Sequence, residues 1–371
     1  MLHRLTADKA RAALPLLEGK DHLLLLEAVI AGTAPGWVMV DDPANPHALF
    51  ASGPEGHYLL GQPDSPGFTD ALAQEIHDGI MPRLRRDGWW YLTVYYEPEM
   101  REVVESLFGP DVLDNPMAPV YTSQRYFTWS GGPFELGPLP DVEVLQVDAM
   151  LLARDELQGI ETLREWCGGD YASAEAYLTH GFGVCLVRGT ELLGWCTTDC
   201  VVGSRAEIGI RVQPAYRAQG YGNMLARAML QECAGRGITL VGWHCYEQNL
   251  ASARTAHSAG FEERYNHPFV HVWVSPVDGH LMNGNMDLML GRYGLAAGRY
   301  ARALDLWQAN DPEAPPARLL QSTQQQARYR YHAALANCLA VLTVNGHDVS
   351  SMLGHLEAAL ATGGFRQGGY D

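Results

Sequence analysis

The stretch best suited to chemistry runs from Ala206 to Phe261, AEIGIRVQPAYRAQGYGNMLARAMLQECAGRGITLVGWHCYEQNLASARTAHSAGF. Its centre is a pair of glycines, Gly220 and Gly222. They stand where a strand-like alternation (Ile208, Ile210, Val212) gives way, after Pro214, to the helical apolar spacing of Met224, Leu225, Ala228 and Met229. Glycines at such a junction let the backbone approach a ligand and turn consecutive N–H groups inward. The helix behind them adds its unpaired first-turn donors and the positive end of its dipole. A pyrophosphate is the natural occupant of amides running through Gln219, Gly220, Tyr221, Gly222 and Asn223, with Arg217 supplying local positive charge. A plain strand-to-helix turn would use glycines in the same way, so the surroundings decide.

Arg217-Ala218-Gln219-Gly220-Tyr221-Gly222 resembles the R/Q-x-x-G-x-G/A acetyl-CoA loop of the GNAT acetyltransferases. Val212-Gln213-Pro214-Ala215-Tyr216 resembles that family's V-x-P-x-Y lead-in, and Asn249, Ser252 and Gly260-Phe261 follow at the spacing of its N-x-x-S/A…G-F segment. Gly194-Trp195-Cys196, Glu207-Ile208-Gly209-Ile210 and Trp243-His244-Cys245 are most similar to the zwittermicin A resistance branch, a likeness running from residue 20 to 275. The resemblance implies acetyl-CoA as co-substrate, held by Val212, Arg217, Gln219, Gly220, Tyr221, Gly222, Asn223, Asn249 and Ser252. It also implies transfer of the acetyl group to a primary amine of a small molecule by direct attack. The branch suggests an amino-polyol or aminoglycoside-like antibiotic as acceptor.

Such a transfer needs a bound thioester, a neutral amine, stabilisation of the developing oxyanion and a proton for the departing thiolate. In the implied fold the strand from Ala206 to Val212 diverges from that of Ile238 to Cys245, freeing an N–H near Val212 to bond the thioester oxygen. Amines are mostly ammonium at neutral pH, so a base must act first. Glu207 is the first candidate, at the start of the strand where family members carry a catalytic glutamate. By alternation it shares a face with Gly209 and Arg211, and a surface ion pair with Arg211 is its bland alternative. His244, on the neighbouring strand, has the right titration range to relay the proton; a buried, hydrogen-bonded histidine is the commoner fate. The family's tyrosine acid, four residues before Gly260, is Ala256 here, leaving Tyr246, His257 or water to protonate the thiolate. Asn249 and Ser252 would serve equally as caps of the following helix. Cys196, Cys200 and Cys245 read as core.

The rest of the chain must hold this stretch in place. Its 371 residues suggest two or three domains. With 47% hydrophobic residues but no run near the ~18 a membrane span needs, it reads as soluble and cytoplasmic, with no membrane partner. Seven cysteines without a C-x-x-C pair argue against a disulfide framework or zinc knuckle, and no metal site is expected. A net charge of −17 disfavours nucleic acid and suits a cationic small molecule.

The expected fold class is α/β (α+β): tandem GNAT-like lobes, the first degenerate, followed by an all-helical segment. The first lobe covers residues 1–130. Helices are expected at Leu14–Ile30, Phe68–Arg86 and Glu97–Phe108, and strands at Trp37–Val40, His57–Leu60 and Trp89–Tyr95. Its equivalent of the anion loop, Gly61 to Gly67, contains two prolines that delete amides, and Asp64 would face a phosphate. Ser130 to Pro140 reads as a linker. The catalytic domain covers residues 140–275, with a strand from Val142 to Val147, helices at Ala149–Gly159 and Glu161–Leu178, and a hairpin turning at Gly189-Thr190. A strand from Phe269 to Val274 ends at Pro276.

Residues 280–371 read as helices only. Leu290-Gly291-Arg292-Tyr293, Ala296, Tyr300 and Ala303-Leu304 resemble half of a tetratricopeptide repeat, and a looser copy runs from Tyr331 to Leu360. This tail would cap the catalytic lobe or form a homodimer or partner surface. A rival function follows from Ala256 and the degenerate first lobe: a non-catalytic CoA-binding sensor or scaffold docking partners through the tail.

Overall fold

The computed structural model describes residues 1–63, 66–115, 117–131, 141–309 and 315–344. Asp64, nearly all of the Ser130–Pro140 linker, and Gly346, Leu356, Ala359 and Leu360 of the looser repeat lie outside the described residues. The chain forms two compact units. One comprises Met1–Glu75, Thr93–Val104 and Thr122–Val270; the other comprises Ile76–Leu92, Glu105–Tyr121 and the residues from His271 onward.

The fold is mixed α/β. Among the described residues the strands are β1 (His3–Arg4), β2 (Trp37–Val40), β3 (Ala48–Gly53), β4 (Gly56–Gly61), β5 (Tyr91–Tyr96), β6 (Val120–Trp129), β7 (Glu143–Gln146), β8 (Gly183–Arg188), β9 (Glu191–Val202), β10 (Arg205–Val212), β11 (Leu240–Tyr246) and β12 (Glu262–Trp273). They form one sheet in the order β1-β2-β3-β4-β5-β12-β6-β11-β10-β9-β8-β7. Parallel pairing occurs between β4 and β5 and between β10 and β11. Between these pairs the halves exchange strands: β6, early in the chain, lies against β11, and β12, late in the chain, lies against β5. Neither β3 nor β6 was expected from sequence, and β12 is longer than the Phe269–Val274 segment.

The helices are α1 (Leu24–Ala31), α2 (Pro66–Gln74), α3 (Met81–Arg86), α4 (Arg101–Phe108), α5 (Ala149–Leu152), α6 (Ile160–Tyr171), α7 (Ala174–His180), α8 (Tyr221–Gly235), α9 (Leu250–Ser258), α10 (Pro276–Met289), α11 (Tyr293–Ala309) and α12 (Thr323–Val344). Two expected helices are broken, each by a left-handed residue. Gly19, with φ of 74°, interrupts Leu14–Ile30, which becomes two 3₁₀ turns and α1. Ala172, with φ of 67°, separates α6 from α7, whose first turn is capped by Ser173 accepting from the Ala176 amide at 3.0 Å.

What fixes the central stretch is the buried face of α8. Leu225, Ala226, Ala228, Met229, Leu230 and Cys233 pack with Leu193, Cys196, Ile208, Val241 and Trp243 in one core cluster. Truncating a fully buried leucine such as Leu225 to alanine costs about 2–5 kcal/mol. That packing holds the start of α8 at the end of β10. In the second unit α10, α11 and α12 pack in succession around Leu281, Leu288, Ala296, Tyr300, Ala303 and Leu339. The Tyr300 hydroxyl donates to Asn285 Oδ1 at 2.7 Å, satisfying both buried groups.

Candidate active site

The turn between β10 and α8 has the shape of an anion cradle. After a 3₁₀ turn at Pro214–Tyr216, Arg217 is extended, Ala218 is left-handed (φ 60°), and Gly220 is left-handed again (φ 88°) immediately before α8. Ala218 was not foreseen; nothing in an Arg-Ala-Gln tripeptide announces a positive φ. Among the described residues no backbone acceptor faces the amides of residues 218–223. They stand at the N-terminus of a 15-residue helix, where the dipole favours negative charge. A side chain at Gly220 would meet nothing within 4 Å, so the space in front of it is open; one at Gly222 would lie 3.3 Å from Thr255 Cγ2.

Side chains brace this loop. Arg217 Nε donates to the Val212 carbonyl at 3.1 Å, Gln219 Nε2 to the Ala215 carbonyl at 3.2 Å, and Asn223 Nδ2 to Ser258 Oγ at 2.7 Å. Asn249 caps α9, its Oδ1 accepting from the Ser252 amide at 3.1 Å, whereas Ser252 Oγ accepts from Trp243 Nε1 at 3.0 Å.

Parallel pairing of β10 with β11 runs only from Arg205–Leu240 to Glu207–Gly242. Beyond that point β10 continues against β9 as far as Val212, while β11 continues against β6 as far as Tyr246. The two strands therefore fork, and Glu207 is the last paired residue before the opening. Its carboxylate, 2% exposed as a residue, bonds His244 Nδ1 from the next turn of the pleat on β11. Arg211 lies instead over the Trp195 ring, 5.8 Å from its centroid. Tyr126 of β6 faces His244 with ring centroids 4.7 Å apart. Burial alone would push the His244 imidazole below its ordinary range. The charge and hydrogen bond of Glu207 exceed that effect and hold it above. His244 Nε2 is buried and makes no hydrogen bond.

Three further carboxyls converge on this pair, and sequence reasoning missed all of them. Asp199 occupies a bulge in β9: Glu207 faces Cys200 and Ile208 faces Thr198, leaving Asp199 as the extra residue, re-aimed by the bulge. Gly209 makes room for it, since a Cβ there would lie 2.5 Å from Asp199 Oδ1, and the Gly209 amide donates to its carboxylate. Burial first, then Asp170, Glu55 and Glu207, push the Asp199 carboxyl well above the carboxylate range. Asp170 of α6 is raised to about 7 by burial and Glu207. Glu55, at the β3–β4 hairpin turn, is raised to about 8 by burial and Glu207 against the pull of His244. As a residue Glu55 is partly buried. An acid inside the strand-forming run Thr197-Thr198-Asp199-Cys200 was the one available signal. Four carboxyls this close hold protons or a cation between them.

The remaining sequence candidates for a thiolate acid lie elsewhere. Tyr246 packs on Phe269 at 5.5 Å, His257 stacks edge-on to Phe127 at 5.2 Å and faces Glu263 at 3.8 Å, and Ala256 is fully buried.

Residues 14–269 match the family model described as GNAT acetyltransferase. The uncharacterised N-acetyltransferase YdfB of Bacillus subtilis (strain 168) is 22% identical over 272 residues, covering 71% of this chain and 95% of that protein. The fold is shared with the solved GCN5-related N-acetyltransferase-like protein from Streptococcus suis 89/1591, at 19% identity and TM-score 0.53, covering 72% of this chain and 99% of that one. It is shared also with a GCN5-related N-acetyltransferase from Sphaerobacter thermophilus, at 13% identity and TM-score 0.51, covering 74% and 95%.

Proposed function

The chain belongs to the GNAT acetyltransferase family, and from that premise we propose that it moves acetyl from acetyl-CoA to a primary amine of a small molecule carrying more than one positive charge. The observation that carries this reading is the position of Glu207: bonded to His244, among three more carboxyls, where β10 and β11 part.

The loop fits the co-substrate. The open amides of residues 218–223, the helix terminus behind them and the charge of Arg217 suit a diphosphate, and Gly220 leaves the approach clear while Gly222 lets α8 pack closely against Thr255. Val212, Gln219, Tyr221 and Asn223 complete its wall, while Asn249 and Ser252 act indirectly, by capping α9 and holding Trp243. Opposite β11, the backbone of β10 between Ile208 and Val212 offers N–H groups to the thioester oxygen, where charge develops in the tetrahedral intermediate. Glu207 removes a proton from the bound ammonium and shares it with His244 through their hydrogen bond. The neutral nitrogen adds to the acetyl carbon to form the tetrahedral intermediate, its collapse breaks the carbon–sulfur bond, and the proton shed by the nitrogen reaches the thiolate through water. Asp199, Asp170 and Glu55 hold the acceptor's other ammonium groups. This supports an amino-polyol or aminoglycoside-like acceptor over a monoamine.

The helical tail, with its tetratricopeptide-like pattern, would serve as a homodimer or partner surface, for which exposed Leu290, Leu295 and Tyr331 offer apolar positions. The seven cysteines are all free, in keeping with a reducing cytoplasm. Among the described residues no helix is long and apolar enough to cross a membrane. The buried Ala256 keeps the sensor reading in play. Purified protein given acetyl-CoA and a panel of mono- and polyamines should release free CoA thiol fastest with polyamines. Calorimetric CoA binding without thiol release on any amine would favour the sensor.

A further inference from the structure

Among the described residues the first unit holds a second group of chemistry-bearing side chains, which no step above employs. His22 lies just before α1, Glu97 directly follows β5, and His267 stands in β12. Their separation in sequence leaves no spacing motif, which is why the cysteine pattern gave no hint of them. His22 Nε2 is 2.9 Å from Glu97 Oε1, His267 Nε2 is 3.8 Å from the same oxygen, and one donor atom from each residue lies within 4.8 Å of the others. We propose that His22, Glu97 and His267 form a binding site for one divalent transition-metal ion, with Zn²⁺ the best fit.

Three observations carry this. The first is an orphan: His267 is 1% exposed, and its Nε2, pointed at Glu97, makes no hydrogen bond. A lone pair buried without a partner is costly, and a metal ion would satisfy it. The second is the donor set. Two imidazoles and one carboxylate around an open fourth position is a common zinc arrangement, and donors ~2 Å from a tetrahedral ion stand about 3.3 Å apart, between the two distances observed. The third is the outer layer. Lys20 Nζ bonds Glu97 Oε2 at 2.8 Å, which orients the carboxylate and leaves Oε1 turned toward the imidazoles. The bland alternative is a His22–Glu97 hydrogen bond with His267 as a bystander.

The 371-residue chain, stripped with a chelator and titrated with Zn²⁺, distinguishes the two. Calorimetry and elemental analysis should give one ion per chain, bound at micromolar affinity or tighter, with protons released and Tm rising with free Zn²⁺. Co²⁺ in its place should give the visible bands of a tetrahedral site. His22→Gln, at the less buried ligand, should weaken binding about thirtyfold or more, and His267→Gln should do the same. Cys338→Ser, at the exposed thiol, should change nothing. Absence of stoichiometric binding, or equal binding by wild type and His22→Gln, would overturn the proposal.

Discussion

Glu207→Gln separates chemistry from binding. Glutamine keeps the size of the buried side chain and can still hydrogen-bond His244, but it cannot take a proton from an ammonium. General-base catalysis contributes about 10²- to 10⁴-fold, so kcat should fall at least ~100-fold, about 2.7 kcal/mol of barrier. Affinity for CoA should not follow. Val212 lies five residues farther along β10, roughly 17 Å at ~3.4 Å per residue, too far for the Glu207 side chain to touch a group held at the loop beyond it. For folding, the lost attraction to His244 is offset by relief of repulsion on Asp199, Asp170 and Glu55, so thermal melting is followed alongside to show that the variant is folded. The assays are thiol release at saturating acetyl-CoA, calorimetry with CoA, and thermal melting. A kcat within about threefold of wild type, or CoA affinity weakened more than about tenfold, would refute the assignment of Glu207 as base.

Asp199→Asn should raise KM for a polycationic acceptor about 10- to 100-fold, the worth of a charge-assisted hydrogen bond; an equal rise in KM for acetyl-CoA would mean the substitution disturbs the fork itself. Gly220→Val puts a β-branched residue at φ 88° and costs about 1–3 kcal/mol of local strain, so calorimetry should show CoA bound more weakly while kcat at saturation holds. NMR titration of His244 should give a midpoint above 6.5 in wild type and below 6.5 in Glu207→Gln, because removing the carboxylate leaves burial as the dominant influence. The sign extends to stability: a raised folded pKa contributes below the unfolded value and is lost as pH rises through the folded one.

The loop was legible because its signals are local. Gly220, Gly222 and the apolar spacing after Met224 define a strand, turn and helix within one short span, and the structure has β10 and α8 there. The Gly189-Thr190 hairpin was visible for the same reason, and Gly189 adopts φ of 61°. The exchanged strand β6 was not visible, because its neighbours β11 and β12 both lie more than a hundred residues on, and those pairings explain why Val120–Trp129 is extended. The carboxyl cluster was hidden twice over. Glu55 sits in a Pro-Glu-Gly turn that looks like ordinary hairpin chemistry, and Asp199 reaches the site only because a bulge turns it. The broken helices at Gly19 and Ala172 show the opposite failure, where apolar periodicity continued past a residue that turns left-handed.

The proposed transfer is tested most directly by following labelled acetyl-CoA through turnover with a mixed panel of amines, using mass spectrometry on both the amines and the intact protein. Direct attack requires the label on an amine nitrogen, polyamines ahead of monoamines, and an unchanged protein mass. Label retained on the protein, or released only as acetate, would contradict it.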